Sequence, residues 1–184
     1  SLNHIKATEI KDLFLGYDRV FFINYDGKII EEKFNLSGVQ LGDGYLVEPD
    51  LKGAISIAAG DNFAIVLLKD GTITSRNFSL NDQSNDNIAI SAGYSHCLIL
   101  KKSGIVIEIG GLNDPDNFDL VPMPENLNNI IAVSAGDRHS VVLKNDGTVV
   151  AWGDNYSGQC NVPIDLKNVI AISAGDTHTT ALIN

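Results

Sequence analysis

Apolar residues run along this chain in short, nearly continuous blocks, Ile65-Val66-Leu67-Leu68 and Leu98-Ile99-Leu100 among them, and glycines punctuate the blocks. A sheet with one wet face would alternate apolar and polar positions, so continuous runs predict short strands buried on both faces. No stretch carries a helical i, i+3, i+4 stripe long enough to compete. The blocks keep one order. A β-branched run such as Ile131-Ala132-Val133-Ser134 is followed by a glycine turn, a second run (Val141-Val142-Leu143), an Asp-Gly or Ser-Gly turn, and a third run (Thr148-Val149-Val150-Ala151). Asp26-Gly27, Asp70-Gly71 and Asp146-Gly147 predict hairpins whose turns have positive φ at both central positions, which glycine accepts freely and Asp tolerably. Each unit therefore reads as antiparallel strands A, B and C with a short, variable strand D.

The order repeats. A glycine is followed eleven positions later by another at Gly16/Gly27, Gly60/Gly71, Gly93/Gly104 and Gly136/Gly147, and Gly175 stands as a fifth first glycine without its pair. First glycines lie 44, 33, 43 and 39 residues apart, a spacing that with strand chemistry fits propeller blades and not paired-helix solenoids. Residues 1–184 read as a single repeat domain with units near 10–50, 51–87, 88–126 and 127–166 and a terminal half unit at 167–184. The predicted fold is an all-β propeller of about four and a half antiparallel blades, as an open or partial array or a small ring. Four residues after each first glycine stand Val20, Ala64, Cys97, Ser140 and Thr179, all small, which fits a slot where adjacent blades approach closely.

Residues 134–163, SAGDRHSVVLKNDGTVVAWGDNYSGQCNVP, carry a specific string of words: Ser-Ala-Gly, a His three residues on, Lys-Asn-Asp-Gly, Ala151-Trp152-Gly153, Gly158-Gln159 and Val162-Pro163. In these words the chain resembles the repeats of the regulator of chromosome condensation family, and within it the bacterial propellers that include a secreted inhibitor of β-lactamases. The resemblance covers residues 54–184 well, and residues 10–50 through the glycine spacing and Asp26-Gly27. Trp-Gly occurs once. Its counterparts are Ile109-Gly110, Arg76-Asn77 and Glu32-Lys33, so irregular third strands are expected in the first two units. The resemblance implies a propeller whose surface loops bind proteins. It also makes the histidine of each A–B turn a structural residue that closes the turn and packs between blades.

A formal charge of −10, with 13 Lys and Arg scattered along the chain, excludes a phosphate-backbone footprint, so no nucleic-acid partner is expected. No apolar stretch approaches the roughly 18 residues of a membrane span. The opening SLNHIKATEIKD lacks a charged and then apolar leader, which leaves the compartment open between cytoplasm and export directed from upstream. Cys97 sits in the small slot and Cys160 elsewhere in another unit, so no disulfide is expected. His96, His139 and His178 recur at one blade position and invite a metal reading. No Cys or carboxylate stands near them at zinc-site spacing, and no metal or cofactor is expected. The Asp- and Asn-rich stretches 81–87 and 112–119 offer oxygens for calcium or, more simply, turn-forming side chains.

Function then falls to surfaces. With A, B, C and D antiparallel, the A–B and C–D turns share one face of the array, and turns that vary while their supports repeat are how a scaffold presents a binding surface. The candidate partner-binding residues there are Tyr17, Arg19, Tyr94, Asp137, Arg138, Asp154, Tyr156 and Asp176. The expected function is a non-catalytic protein-binding module. The alternatives are inhibition of a secreted hydrolase such as a β-lactamase, and a propeller enzyme that binds a ligand or metal. About four and a half blades leave sheet edges bare, which points to a homodimer, to further blades in a longer chain, or to pairing of the last hairpin with residues 1–12.

Overall fold

The computed structural model describes residues 10–16, 19–33, 51–75, 79–80, 84–110 and 122–184. Packing divides the chain into two compact units, residues 1–85 and 86–184. In the first, β1 (Ile10–Leu15), β2 (Arg19–Asn24) and β3 (Ile29–Lys33) form one antiparallel sheet, and β4 (Ala54–Ala59), β5 (Ala64–Leu68) and β6 (Ile73–Ser75) form another. In the second, β7 (Asn87–Ala92), β8 (His96–Lys101) and β9 (Val106–Gly110) form a sheet, as do β10 (Ile130–Ala135), β11 (His139–Lys144) and β12 (Val149–Gly153). A two-stranded sheet of β13 (Val169–Ala174) and β14 (Thr179–Ile183) follows. Strands appear wherever the apolar runs place A, B and C, and no helix among the described residues is long and apolar enough to cross a membrane.

Three expectations need correction. Burial on both faces holds for the central strands β2, β5, β8 and β11, which are enclosed almost throughout, but not for the first strand of each sheet. There the register slips by one residue at the same place every time, between Ile10 and Asp12, Ala54 and Ser56, Asn87 and Ala89, Ile130 and Ala132, and Val169 and Ala171. The skipped residue turns outward, so Ile55, Ile88, Ile131 and Ile170 are exposed despite their apolar character. Strand D is the second correction. Residues 154–168, where the best-kept unit has room for it, are turns and irregular chain, and the corresponding segments at 34–50, 76–78, 81–83 and 111–121 lie wholly or partly outside the described residues. Third, β3 is regular, with Arg19 to Ile23 paired in step with Lys33 to Ile29, while β6 is only three residues long and Arg76-Asn77 falls outside the description.

Hairpin glycines show why the Asp-Gly signal works. Gly27, Gly71, Gly104 and Gly147 have positive φ, but Asp26, Asp70, Ser103 and Asp146 before them do not, so these are not the doubly left-handed turns the dipeptides suggest. At the fourth sheet the Gly147 N–H bonds the Lys144 carbonyl at 3.0 Å and the Lys144 N–H bonds the Thr148 carbonyl at 2.9 Å, a turn followed by a glycine bulge. Asp146 closes it by accepting from the Thr148 N–H (3.0 Å) and hydroxyl (2.6 Å), which lowers the Asp146 pKa. The glycine carbonyl then reaches the next sheet: Gly27 accepts from Ala54 N–H, Gly104 from Ile130 N–H and Gly147 from Val169 N–H, each at 3.2 Å.

At the opposite end of the sheets in residues 86–184 a second set of contacts repeats. His96 Nε2 lies 3.0 Å from Ser140 Oγ, and His139 Nε2 lies 2.9 Å from Thr179 Oγ1, so each imidazole reaches the small-slot residue of the following sheet. Both hydroxyls spend their own proton elsewhere, Ser140 on Glu108 Oε1 (2.8 Å) and Thr179 on the Gln159 carbonyl (2.9 Å). The histidines must therefore donate from Nε2, which fixes the tautomer of the neutral ring and leaves Nδ1 without a proton. Beside them Ser91 Oγ accepts from Ala135 N–H and Ser134 Oγ from Ala174 N–H, both at 2.9 Å. The rings also explain the first glycines. A Cβ at Gly93 or Gly136 would run into the His96 or His139 ring and into the carbonyl of Gly136 or Gly175. These glycines are required by close approach and not by backbone angle.

His96 and His139 are 3% and 1% exposed, and burial lowers the pKa of both, with Glu108 and Asp137 opposing the shift at His96. Nδ1 of His139 is buried without a partner, so a second ring proton there would have no acceptor. Below the unfolded value of about 6.5 the unfolded chain binds protons that the folded one resists, so this contribution is complete above that pH and lost as pH falls. Burial and the neighbouring Asp176 raise the Asp137 pKa, which acts in the opposite sense at lower pH. The unfolding free energy from urea titration is expected to fall between pH 7.5 and 5.5, and the midpoint with it, by no more than about 1.4 kcal/mol per pH unit for each histidine, with H139Q removing part of the drop. A midpoint flat over that interval would contradict it. Gly147→Ala is expected to cost about 1–2 kcal/mol in the same unfolding measurement, because φ is +79° and the new Cβ would press on Asn168 at 3.2 Å.

Candidate functional site

Four segments of residues 86–184 meet at the A–B turn end. The Tyr94 N–H donates to the Asp137 carbonyl at 2.9 Å and the Asp137 N–H donates to the Gly175 carbonyl at 3.2 Å, so the turns after β7, β10 and β13 are joined in a row by their main chains. The Asp154 N–H donates to the Arg138 carbonyl at 2.8 Å and brings the loop after β12 alongside. Gly153 permits that approach, since a Cβ there would collide with the Arg138 carbonyl and the His139 Cα.

The loop is stiffened from within. Asp154 accepts from the Tyr156 N–H (3.1 Å) and from Gln159 Nε2 (2.9 Å), while Gln159 Oε1 accepts from the Ser157 N–H (2.9 Å). Asn155 accepts from the Cys160 N–H and donates to Asn161 Oδ1, both at 2.9 Å. Tyr156 is thereby held out at the tip, 94% exposed. The Asn, Gln and Asp of this stretch are clamps, and repetition of their types within eight residues was the available signal for them.

Of the sequence candidates, Tyr94, Arg138, Tyr156 and Asp176 are exposed on this row, and Asp137 and Asp154 are half-buried in it. Arg138 Nε lies 3.9 Å from Asp137 Oδ2. The Asp137 pKa is raised, by burial first and then by Asp176, with Asp154 adding to the rise against Arg138 and His96, so the row is electrostatically negative around a single arginine. Arg19 is not a surface residue. It is 6% exposed and pairs with Glu31 across the β2–β3 ladder, because the strand turns its side chain inward. Tyr17 lies outside the described residues. Phe63, in the corresponding turn of the β4–β5 pair, is also buried.

His96 and His139 point at hydroxyls of the following sheet and not at one another. Among the described residues no three His, Cys, Asp or Glu side chains gather into a group able to hold a metal ion. Ser140, His96 and Glu108 contain the residue types of a nucleophilic triad, but in the wrong order. The carboxylate accepts from the serine and from Trp152 Nε1 (2.9 Å), leaving no acid to orient the imidazole, and Ser140 is 1% exposed. Burial pushes the Cys97 thiol up to about 12 and Cys160 up to about 11, so both are protonated at neutral pH, and neither is in a disulfide. The stretch 112–119 lies outside the described residues.

Comparison with known proteins bears on the repeat and the fold. Residues 130–159 match the regulator of chromosome condensation (RCC1) repeat, and no curated protein matches the chain in sequence. The structure is similar to Prp20p of Saccharomyces cerevisiae, for which binding properties to Gsp1p and histones are described, with TM-score 0.71 and 19% identity over 96% of this chain and 56% of that one. It is also similar to human WBSCR16 (TM-score 0.66, 16% identity, 98% of this chain and 59% of that one). A third similarity is to the CRINKLY ectodomain of the Arabidopsis thaliana receptor kinase ACR4 (TM-score 0.69, 19% identity, 98% and 61%). The chain thus spans somewhat more than half the length of these structures. Residues 130–159 are a regulator of chromosome condensation repeat, and the chain that carries them has the propeller fold.

Proposed function

We propose that the chain is a non-catalytic protein-binding module whose contact surface is the turn row of residues 86–184. The observation that carries this is the main-chain bonding of the row, Tyr94 to Asp137, Asp137 to Gly175 and Asp154 to Arg138, which holds exposed Tyr94, Arg138 and Tyr156 in place at little entropic cost on binding. Aromatic and arginine side chains on a preorganised support are the residue types that anchor protein interfaces. The three Asp carboxylates around them favour a partner with a basic, hydrogen-bonding surface. Similarity to Prp20p, a propeller with described protein partners, supports the reading at the level of fold.

The test is capture of partners from the source cells by immobilised protein, with and without Arg138→Ala and Tyr156→Ala together. The pair is expected to weaken capture at least tenfold, roughly the loss of one or two anchors, while changing stability by less than about 0.5 kcal/mol. Capture should also weaken as salt rises from about 0.05 to 0.5 M, since exposed carboxylates are screened over a few ångströms at the upper value. Partner binding that survives both the double substitution and high salt would exclude this surface.

A further inference from the structure

The turn row has one weak junction. Its main-chain bonds are 2.9 Å from Tyr94 to Asp137 and 2.8 Å from Asp154 to Arg138, but 3.2 Å from the Asp137 N–H to the Gly175 carbonyl. The His139 ring lies against that junction, since a Cβ on Gly136 would meet both the ring edge that carries Cε1 and Nδ1 and the Gly175 carbonyl. His139 is 1% exposed and its Nε2 is committed to Thr179 Oγ1 at 2.9 Å. Nδ1 is buried with no hydrogen-bond partner among the described residues. Residues of the description enclose that atom, so a further segment of chain or a partner could not reach it without moving them.

Charged groups facing the ring are few. Strands β10, β12, β13 and β14 carry no titratable side chain, and Lys101 and Lys144 lie at the opposite, hairpin end of β8 and β11. The loop after β12 brings Asp154 and the protonated Cys160 thiol, the turn after β13 brings Asp176 and His178, and β8 brings His96. Burial outweighs the rest at His139; the other imidazoles add to it and the two carboxylates oppose it. Asp137 and Arg138, on the turn that leads into β11, lie 3.9 Å from each other, and Glu108 is bound by Ser140 and Trp152.

We infer that His139 is a pH-sensitive lock on this junction: the neutral ring closes it, and a second ring proton opens the bond between Asp137 and Gly175 while the β10–β11–β12 sheet stays folded. The neutral ring has one N–H and one hydroxyl to receive it. The imidazolium brings a second N–H, at Nδ1, into a space where the adjacent carbonyl already accepts from Asp137. A buried donor left unsatisfied carries its full desolvation penalty, which moving the turn and admitting water removes. The junction is the part that yields, because its bond is the longest of the row and Gly136 and Gly175 place no side chain across it. Burial resists the charged ring, so closure is complete above about 6.5 and is lost as pH falls below that value. The lock belongs to the row itself, goes beyond the binding role proposed for it and stands whatever the row binds.

The test follows the Asp137 amide by hydrogen exchange and the His139 ring nitrogens by NMR, on the whole chain, between about pH 7.5 and 5.5. With intrinsic exchange rates divided out, protection at Asp137 is expected to fall about tenfold, the most that one proton taken up at an ordinary 6.5 gives by pH 5.5. At pH 5.5 that protection should not change in about 1 M urea, whereas protection at Val142, in the centre of β11, falls with urea, which separates local from global opening. His139→Gln, whose amide donates in place of Nε2 and does not titrate, is expected to abolish the pH dependence. Asp137→Asn, which keeps the main-chain N–H, is expected to retain it. Should H139Q fail to fold, the urea dependence of the parent and the D137N profile decide. The inference is overturned by Asp137 protection that is flat with pH, that tracks Val142 in urea, or that keeps its pH dependence in H139Q. It is equally overturned by loss of that dependence in D137N, which would assign the switch to the carboxylates.

Discussion

The hydrogen bond from an imidazole of one sheet to a hydroxyl of the next is the contact on which the arrangement of residues 86–184 turns. It exists because Ser140 and Thr179 already donate their protons to Glu108 and the Gln159 carbonyl, so only a histidine protonated at Nε2 can complete each hydroxyl. The ring in turn demands glycine beneath it, and glycine lets the carbonyl of the next turn come close enough to accept a main-chain N–H. One short pattern, Ser-Ala-Gly-x-x-His, thus couples sheet packing to the position of the turns. Apolar burial supplies the larger share of the stabilisation, but it is not directional, and the buried hydrogen bonds fix which sheet residues face which.

Function enters through that coupling. A turn that varies in sequence is useful as a binding element only if its neighbours hold it still, and here the main chain does so through Tyr94, Asp137 and Asp154. The turn row is polar, acidic and joined by main-chain bonds, the features on which the proposed binding of a folded partner rests.

Much of the architecture was legible because continuous apolar runs, glycine spacing and hairpin chemistry all reported the same unit. What escaped was whatever depended on a contact between units. The recurrent Ser of Ser-Ala-Gly looked like part of a strand, yet its hydroxyl accepts from the following sheet, and Glu108 gave no hint that it would bridge Ser140 and Trp152. Continuous apolar runs could not show the bulge in each first strand, since an exposed Ile131 and a buried Ile130 are the same residue type. Arg19 was misread for a related reason: its place beside a turn suggested solvent, while its partner Glu31 lies across the ladder and not nearby in sequence. In residues 86–184 the strand order alone puts Tyr94, Arg138, Tyr156 and Asp176 at one end of the sheets, while their role in binding stays a proposal.

The most direct test of the coupling is a double-mutant cycle on His139 and Thr179, with His139→Gln, Thr179→Val and the pair, read by equilibrium unfolding at pH 7.5. A buried hydrogen bond that leaves its partner unsatisfied when broken predicts a coupling of about 1 kcal/mol or more, with the pair costing less than the sum of the single changes. Additivity within about 0.3 kcal/mol would show that the two side chains do not act together and would contradict the account.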